Sequence, residues 1–124
     1  MDESLIDAII VACSKTKNFN EVLPISGVRP EEPHQEFCLQ FAERVARRYL
    51  HRDIEFELAD AAMNWLHAYC YVAENCAGEM PPLALEIYDA FDSGEYYHNN
   101  DDRTEDPELK YTRPQIRSIV ETKL

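Results

Sequence analysis

The sequence predicts an all-α protein, a single-domain bundle of about five helices spanning residues 1–124. Three observations lead there. Apolar residues recur at three- and four-residue intervals in five stretches, and no useful length of sequence alternates with the period of two that a half-buried strand needs. Proline, glycine and asparagine lie between those stretches or at their first turns, where they end or start helices. The chain has 124 residues, 45% hydrophobic and 29% charged, which suffices for one core without cross-links.

The first helix is expected from Ser4, where Ser4-Leu-Ile-Asp7 has capping spacing, with Leu5, Ile6, Ile9, Ile10 and Cys13 on its buried face. Residues 15–33 carry Asn18, Asn20, Pro24, Gly27, Pro30 and Pro33 and read as a long connection. Residues 22–25 could form a short extended piece, though Pro24 argues against a central strand. Pro33 suits the first position of a second helix. Phe37, Phe41, Val45 and Tyr49 repeat every four residues there, with Cys38, Ala42 and Ala46 beside them. Arg44, Arg47, Arg48 and Arg52 load its C-terminal end, where positive charge suits the helix dipole.

Asp53 reads as the cap of a third helix. Its buried stripe is expected to be Ile54, Leu58, Ala61, Ala62, Trp65, Tyr69, Val72 and Cys76, with Gly78 as its terminator before Pro81 and Pro82. A fourth helix runs from about Pro82 to Asp92 with Leu83, Ile87, Tyr88 and Phe91 inward, and Ser93 and Gly94 end it. Residues 95–111 are polar and acidic. Thr112-Arg-Pro-Gln115 has the spacing of a capping box, and Ile116, Ile119 and Val120 give a last short helix one apolar face.

Charge narrows the function. Asp and Glu number 24 against 12 Lys and Arg, a net charge of −12. Such a chain has no basic face for direct nucleic-acid binding and no attraction to an anionic membrane. It lacks any apolar run long enough to span a bilayer. The first ten residues are acidic where a signal peptide would be basic, so the expected location is the cytoplasm. The four cysteines, Cys13, Cys38, Cys70 and Cys76, are even in number, which suggests disulfides only in a secreted setting. Cys13 and Cys38 fall on apolar helix faces and are expected as buried free thiols.

The acids are concentrated. No Lys or Arg occurs between Arg52 and Arg103, a stretch holding twelve Asp and Glu. It forgoes the opposite-charge pairs that support a surface helix by roughly 0.2–0.5 kcal/mol each. Solubility is one explanation. The other is steering toward a basic protein, which can lift association to about 10⁸–10⁹ per molar per second at low salt. Aromatic residues interleave with these acids. Tyr88 and Phe91 sit at core spacing, whereas Tyr96 and Tyr97 follow Gly94 in the polar loop, where at least one is expected in solvent. The expected partner-binding set is Tyr96, Tyr97, Glu86, Asp89, Asp92, Glu95, Asp101, Asp102, Glu105 and Asp106.

Within this set, residues 94–108 resemble the signature of bacterial nuclease-bacteriocin immunity proteins. That signature has a tyrosine pair, a polar Asp/Asn/Arg/Asp stretch, and Pro-Glu opening the last helix. The matching residues are Tyr96, Tyr97, Asp101 or Asp102, Arg103, Glu105 or Asp106, Pro107 and Glu108. The match needs one inserted residue between the tyrosines and the proline. The chain is also longer than members of that family, and its helix at 53–76 has no counterpart among them. The resemblance implies a small, acidic, helical protein that binds and inhibits a cognate nuclease toxin, with Tyr96 and Tyr97 as affinity anchors. It implies no catalytic residue.

Other chemistries have partial signals in the residues. Glu31-x-x-His34 and Glu95-x-x-His98 have the spacing of di-iron ligands, but Pro33 interrupts the first and the second falls in a loop. His34 with Cys38, and His67 with Cys70, could present nitrogen and sulfur to zinc from one helical face. No glycine-rich phosphate loop or nucleophile elbow is present. The expectation is a non-enzymatic protein with no cofactor, no resident metal and a basic protein partner, a toxin or nuclease domain. An acidic nucleic-acid mimic that blocks a DNA- or RNA-binding protein, and a small metal-binding helical protein, are the alternatives. The oligomeric state is left open.

Overall fold

A computed structural model of the chain describes residues 3–15, 34–72 and 80–124, without the side chains of His34 and Val72. Among the described residues there are five α-helices and no strand, so the protein is an all-α bundle. We label them α1 (Glu3–Lys15), α2 (His34–Leu50), α3 (Phe56–His67), α4 (Pro82–Ser93) and α5 (Arg113–Lys123). Two single turns of π-helix join them: Ala68–Val72 continues α3, and Glu108–Thr112 leads into α5. The expected long connection, the extended piece at 22–25, Pro33, the Glu31-x-x-His34 pair, the Cys76 end of the third stripe and Gly78 lie outside the described residues. No described helix is long and apolar enough to cross a membrane.

The apolar faces converge on one core drawn from all five helices. α3 packs against α1, α2 and α4, and α2 also packs against α5. Two aromatic clusters fill the centre. Phe37 and Phe41 of α2 meet Trp65 and Tyr69, with Trp65 stacked on Tyr69 at 5.4 Å. Tyr49 meets Phe56 and Phe91 edge-on, at centroid separations of 6.5 and 5.1 Å. Such tilted pairs add about 0.5–1.5 kcal/mol each to the area they bury.

The α2 stripe is as the spacing predicts: Phe37, Cys38, Phe41, Ala42, Val45, Ala46 and Tyr49 are all buried. Of the stripe predicted for α3, Ile54, Ala62, Trp65 and Tyr69 are buried, Ala59, Met63, Leu66 and Cys70 are buried beside them, and Leu58 and Ala61 are only partly covered. Three neighbouring helices surround α3, so its buried arc is wider than the predicted stripe. In α4 the small residues Ala84 and Ala90 are buried with Ile87 and Phe91, whereas Leu83 and Tyr88 are half-covered.

Three predicted caps also take other roles. Asp7 turns forward to α2: Arg44 Nε and Nη2 donate to its two oxygens at 3.1 and 2.9 Å, and Arg48 adds a bond of 3.2 Å. These guanidiniums, Arg44 first, hold the Asp7 carboxyl below its usual range against the opposing effect of burial. Asp53 does not cap α3. It belongs to the end of α2, where Asp53 N–H donates to Arg48 O and Arg52 N–H to Tyr49 O, the paired bonds of a Schellman motif. α3 starts two residues later with Glu55 at its N-cap and no side-chain cap. Thr112 is fully buried and donates its hydroxyl to Ala90 O at 2.7 Å, so it caps nothing. The chain enters α5 already helical, through the π turn, where Arg113 N–H reaches back five residues to Glu108 O. That wider register immediately precedes Pro114, which has no N–H to continue an α-helical ladder.

Candidate functional site

Between Ser93 and Thr112 the chain leaves the bundle and returns to the same place. Gly94 ends α4 with ordinary helical angles (φ −87°, ψ −3°). A Cβ there would collide with Thr112 Oγ1 and lie 3.2 Å from Glu108 Cα, so only glycine lets the outgoing and returning strands of the loop meet this closely. Tyr49 OH donates to Glu108 Oε2 at 2.7 Å, and the Arg113 guanidinium lies 4.6 Å above the Tyr49 ring. Burial, reinforced by the Glu108 carboxylate, pushes the Tyr49 phenol well above its usual range.

The loop is folded around Asp101. Its carboxylate is only 6% exposed. Lys110 Nζ donates to it at 2.7 Å, Tyr111 OH at 2.6 Å and His98 N–H at 2.7 Å. These donors, Lys110 first and Tyr111 next, hold the carboxyl far below the usual carboxylate range. His98 to Asp101 forms a turn closed by Asp101 N–H to His98 O at 3.1 Å, with Asn100 at φ 69°. Asparagine tolerates that left-handed geometry better than most residues. Asp102 then accepts from Thr104 N–H and Asp106 from Glu108 N–H, two further local turns that use carboxylates as acceptors for otherwise unpaired backbone donors.

On this frame the tyrosines point outward. Tyr96 is 50% exposed and Tyr97 37%. Neither ring is loose. Tyr96 stacks on the His98 imidazole at 4.5 Å and 17°, and that imidazole packs in turn against Tyr111 at 4.0 Å. Tyr97 donates to Arg103 O at 3.2 Å while the Arg103 guanidinium covers its ring at 4.8 Å. The expectation of at least one exposed tyrosine is met by both.

The predicted acids fall into three groups. Asp102, Glu105 and Asp106 are exposed on the loop with the tyrosines, while Asp101 is its internal anchor. Asp89 and Asp92 lie in the last turns of α4 and Glu95 just beyond it, where negative charge opposes the helix dipole and the last turn of α4 holds no basic residue. Glu86 is turned to α5, both its oxygens accepting from Lys123 Nζ at 2.7 and 2.8 Å.

The α4 group gains partners from α3 that the sequence reading missed. Asn64 Nδ2 donates to Glu95 Oε1 at 3.3 Å. Asp60 and Asp92 both interact with Glu95, so three carboxyl groups share one patch. Burial, then the neighbouring Glu95, raises the Asp92 carboxyl; the Asp60 bond lowers that of Glu95. His67 stands beside them, stacked on Tyr88 and packed against Tyr71, each at 4.6 Å. Asp60 and Asn64 are four apart in sequence and share one face of α3; that spacing was the available signal.

The metal pairings divide differently. Glu95 faces Asn64, while His98 Nε2 lies 2.9 Å from Ser93 O, so the two residues of that pair serve separate networks. Cys38 and Cys70 do meet, but His67 is held between tyrosines. Among the described residues no three His, Cys, Asp or Glu side chains gather in a way that could hold a metal ion. No family model matches the chain, and comparison with curated proteins and with solved structures finds nothing similar.

Proposed function

We propose that this protein binds and neutralises a basic protein partner, a toxin of nuclease type, through the acidic surface that carries Tyr96 and Tyr97. The supporting observation is the state of the tyrosine pair: both rings are exposed, yet both are held by neighbours within the loop. Large aromatic side chains already fixed in place lose little conformational freedom on binding, and tyrosine is a favoured anchor of protein interfaces. Asp102, Glu105 and Asp106 surround the pair with carboxylates suited to a Lys- and Arg-rich face. The mechanism is occlusion. The tyrosines supply most of the affinity, while the acids set the association rate and its salt dependence.

The test begins with capture from host lysate at low and high salt. The reading expects one basic nuclease or toxin domain, retained at low salt and weakened at high salt, whose activity falls to zero as this protein is titrated in. Tyr97→Ala should weaken that complex by about 30-fold, the equivalent of about 2 kcal/mol. Glu121→Ala, on the exposed face of α5, should leave it within about twofold. Equal, small effects of both would remove the tyrosine from the anchor role. Capture of nucleic-acid-binding proteins that DNA displaces would replace the whole reading with nucleic-acid mimicry.

A further inference from the structure

We infer that Cys38 and Cys70 form a redox-modification site, a buried dithiol that a peroxide closes into a disulfide between α2 and the π turn after α3. The two Sγ atoms lie 2.9 Å apart, and both residues are fully buried. That separation is about 0.9 Å longer than a disulfide bond of about 2.04 Å. Closing the bond requires the two sulfurs to approach by that amount. The seam is already in register: one residue before each cysteine, Phe37 and Tyr69 meet ring to ring at 5.2 Å. The sulfurs are therefore held face to face by flanking aromatic packing.

The location also supplies a route in. Cys70 lies within the π turn Ala68–Val72, at whose start the Ala68 N–H is shared between Asn64 O and Trp65 O. Single π turns are rare and occur often at functional sites, and local opening costs less than global unfolding. Hydrogen peroxide is small and uncharged, so a brief local opening admits it. One thiolate attacks a peroxide oxygen, cleaving the O–O bond and forming a sulfenic acid as the other oxygen leaves in water. The second thiol then attacks the sulfenic sulfur, forming the S–S bond and expelling the remaining oxygen as water. Two thiols lose two electrons and two protons, and one peroxide becomes two waters. Cys13 serves as the internal comparison. It too is buried, but among the described residues no second sulfur lies against it, so it has no resolving thiol.

The experiment treats the reduced, folded full chain with hydrogen peroxide, alkylates it in denaturant, and maps the peptides by mass spectrometry without reduction. The expected result is a chain lighter by two hydrogens, a Cys38 peptide joined to a Cys70 peptide, and an alkylated Cys13. The cross-link spans 32 positions of sequence and should raise the melting temperature by roughly 5–15 °C, reversibly with a thiol reductant. Cys38→Ser and Cys70→Ser should each abolish the linked peptide and the thermal gain. Full alkylation of both cysteines after treatment would overturn the inference. So would a disulfide mapped to Cys76, or oxidation that stops at separate sulfinic acids. The wild-type map decides among these even if a serine variant fails to fold.

Discussion

Gly94 shows how much one hydrogen atom in place of a side chain can decide. Its φ is negative, so no unusual backbone angle requires glycine there. Space does: Thr112 and the Glu108 backbone occupy the volume of a Cβ. Gly94→Ala is expected to force Thr112 off the Ala90 carbonyl or push the two ends of the loop apart. Overpacking of this kind costs about 1–3 kcal/mol, which urea unfolding would measure directly. Asp101 has the opposite character. It was expected on the binding surface with its acidic neighbours, because composition cannot tell a carboxylate facing a partner from one folded under the loop. Three donors ten residues or fewer away in sequence turn it inward. Its role is to hold the shape that Tyr96 and Tyr97 present.

At the level of the helices, what could be seen in the sequence was periodicity and what could not was capping. The α2 stripe from Phe37 to Tyr49 is buried as spaced, because α2 lies in the middle of the bundle and its spacing leaves no ambiguity. Ser4-x-x-Asp7, Asp53 and Thr112-x-x-Gln115 all have the residue types of helix starts, and Asp7, Asp53 and Thr112 each take another place. For Asp7 it is against a pair of arginines, for Asp53 at the Schellman end of α2, and for Thr112 on the Ala90 carbonyl. The exposed tyrosines were legible because a polar, glycine-started loop offers no helical face to bury them. Asp60 was not, because its partnership with Glu95 exists only once α3 and α4 are packed. The α2 terminus yields a prediction of its own. Arg52 occupies the left-handed position of the Schellman motif at φ 64°, where glycine is the unstrained residue. Arg52→Gly should stabilise the fold by about 0.5–1 kcal/mol, seen as a higher melting temperature.

For the whole molecule the governing quantity is a net charge of −12 with its acids bound unequally. Asp7, Asp101, Asp102 and Glu95 have carboxyls held below their ordinary values, by Arg44, by Lys110, by the Thr104 backbone and by Asp60 respectively. Each contributes stability that is present above its unfolded value, about 3.9 for Asp and about 4.3 for Glu, and is lost as pH falls through its folded value. Asp92 has the reverse sign. Its carboxyl is raised, so its contribution is complete below about 3.9 and is lost as pH rises through the folded value. Stability should therefore gain a little from Asp92 as pH falls through its folded value, and be lost as pH falls through the lowered values of the other four. Melting curves across those values check the shape. Asp7→Asn should flatten the acid limb and cost about 0.5–1 kcal/mol at pH 7 and low salt, a partly exposed ion pair being worth no more. A curve with no acid limb would show that these carboxylates are not what holds the helices together.

The loop departs and returns at a single point, where Gly94 meets Thr112 and Glu108. Residues 95–107 are thereby closed at a neck of Gly94, Ala90, Tyr49 and Glu108, with Glu95 tied to Asn64 of α3 and Asp101 to Lys110 and Tyr111. Such a closed excursion behaves as an interchangeable cassette. Side chains at its exposed tip can change with little effect on the helices as long as the neck and the Glu95 and Asp101 contacts stay in place.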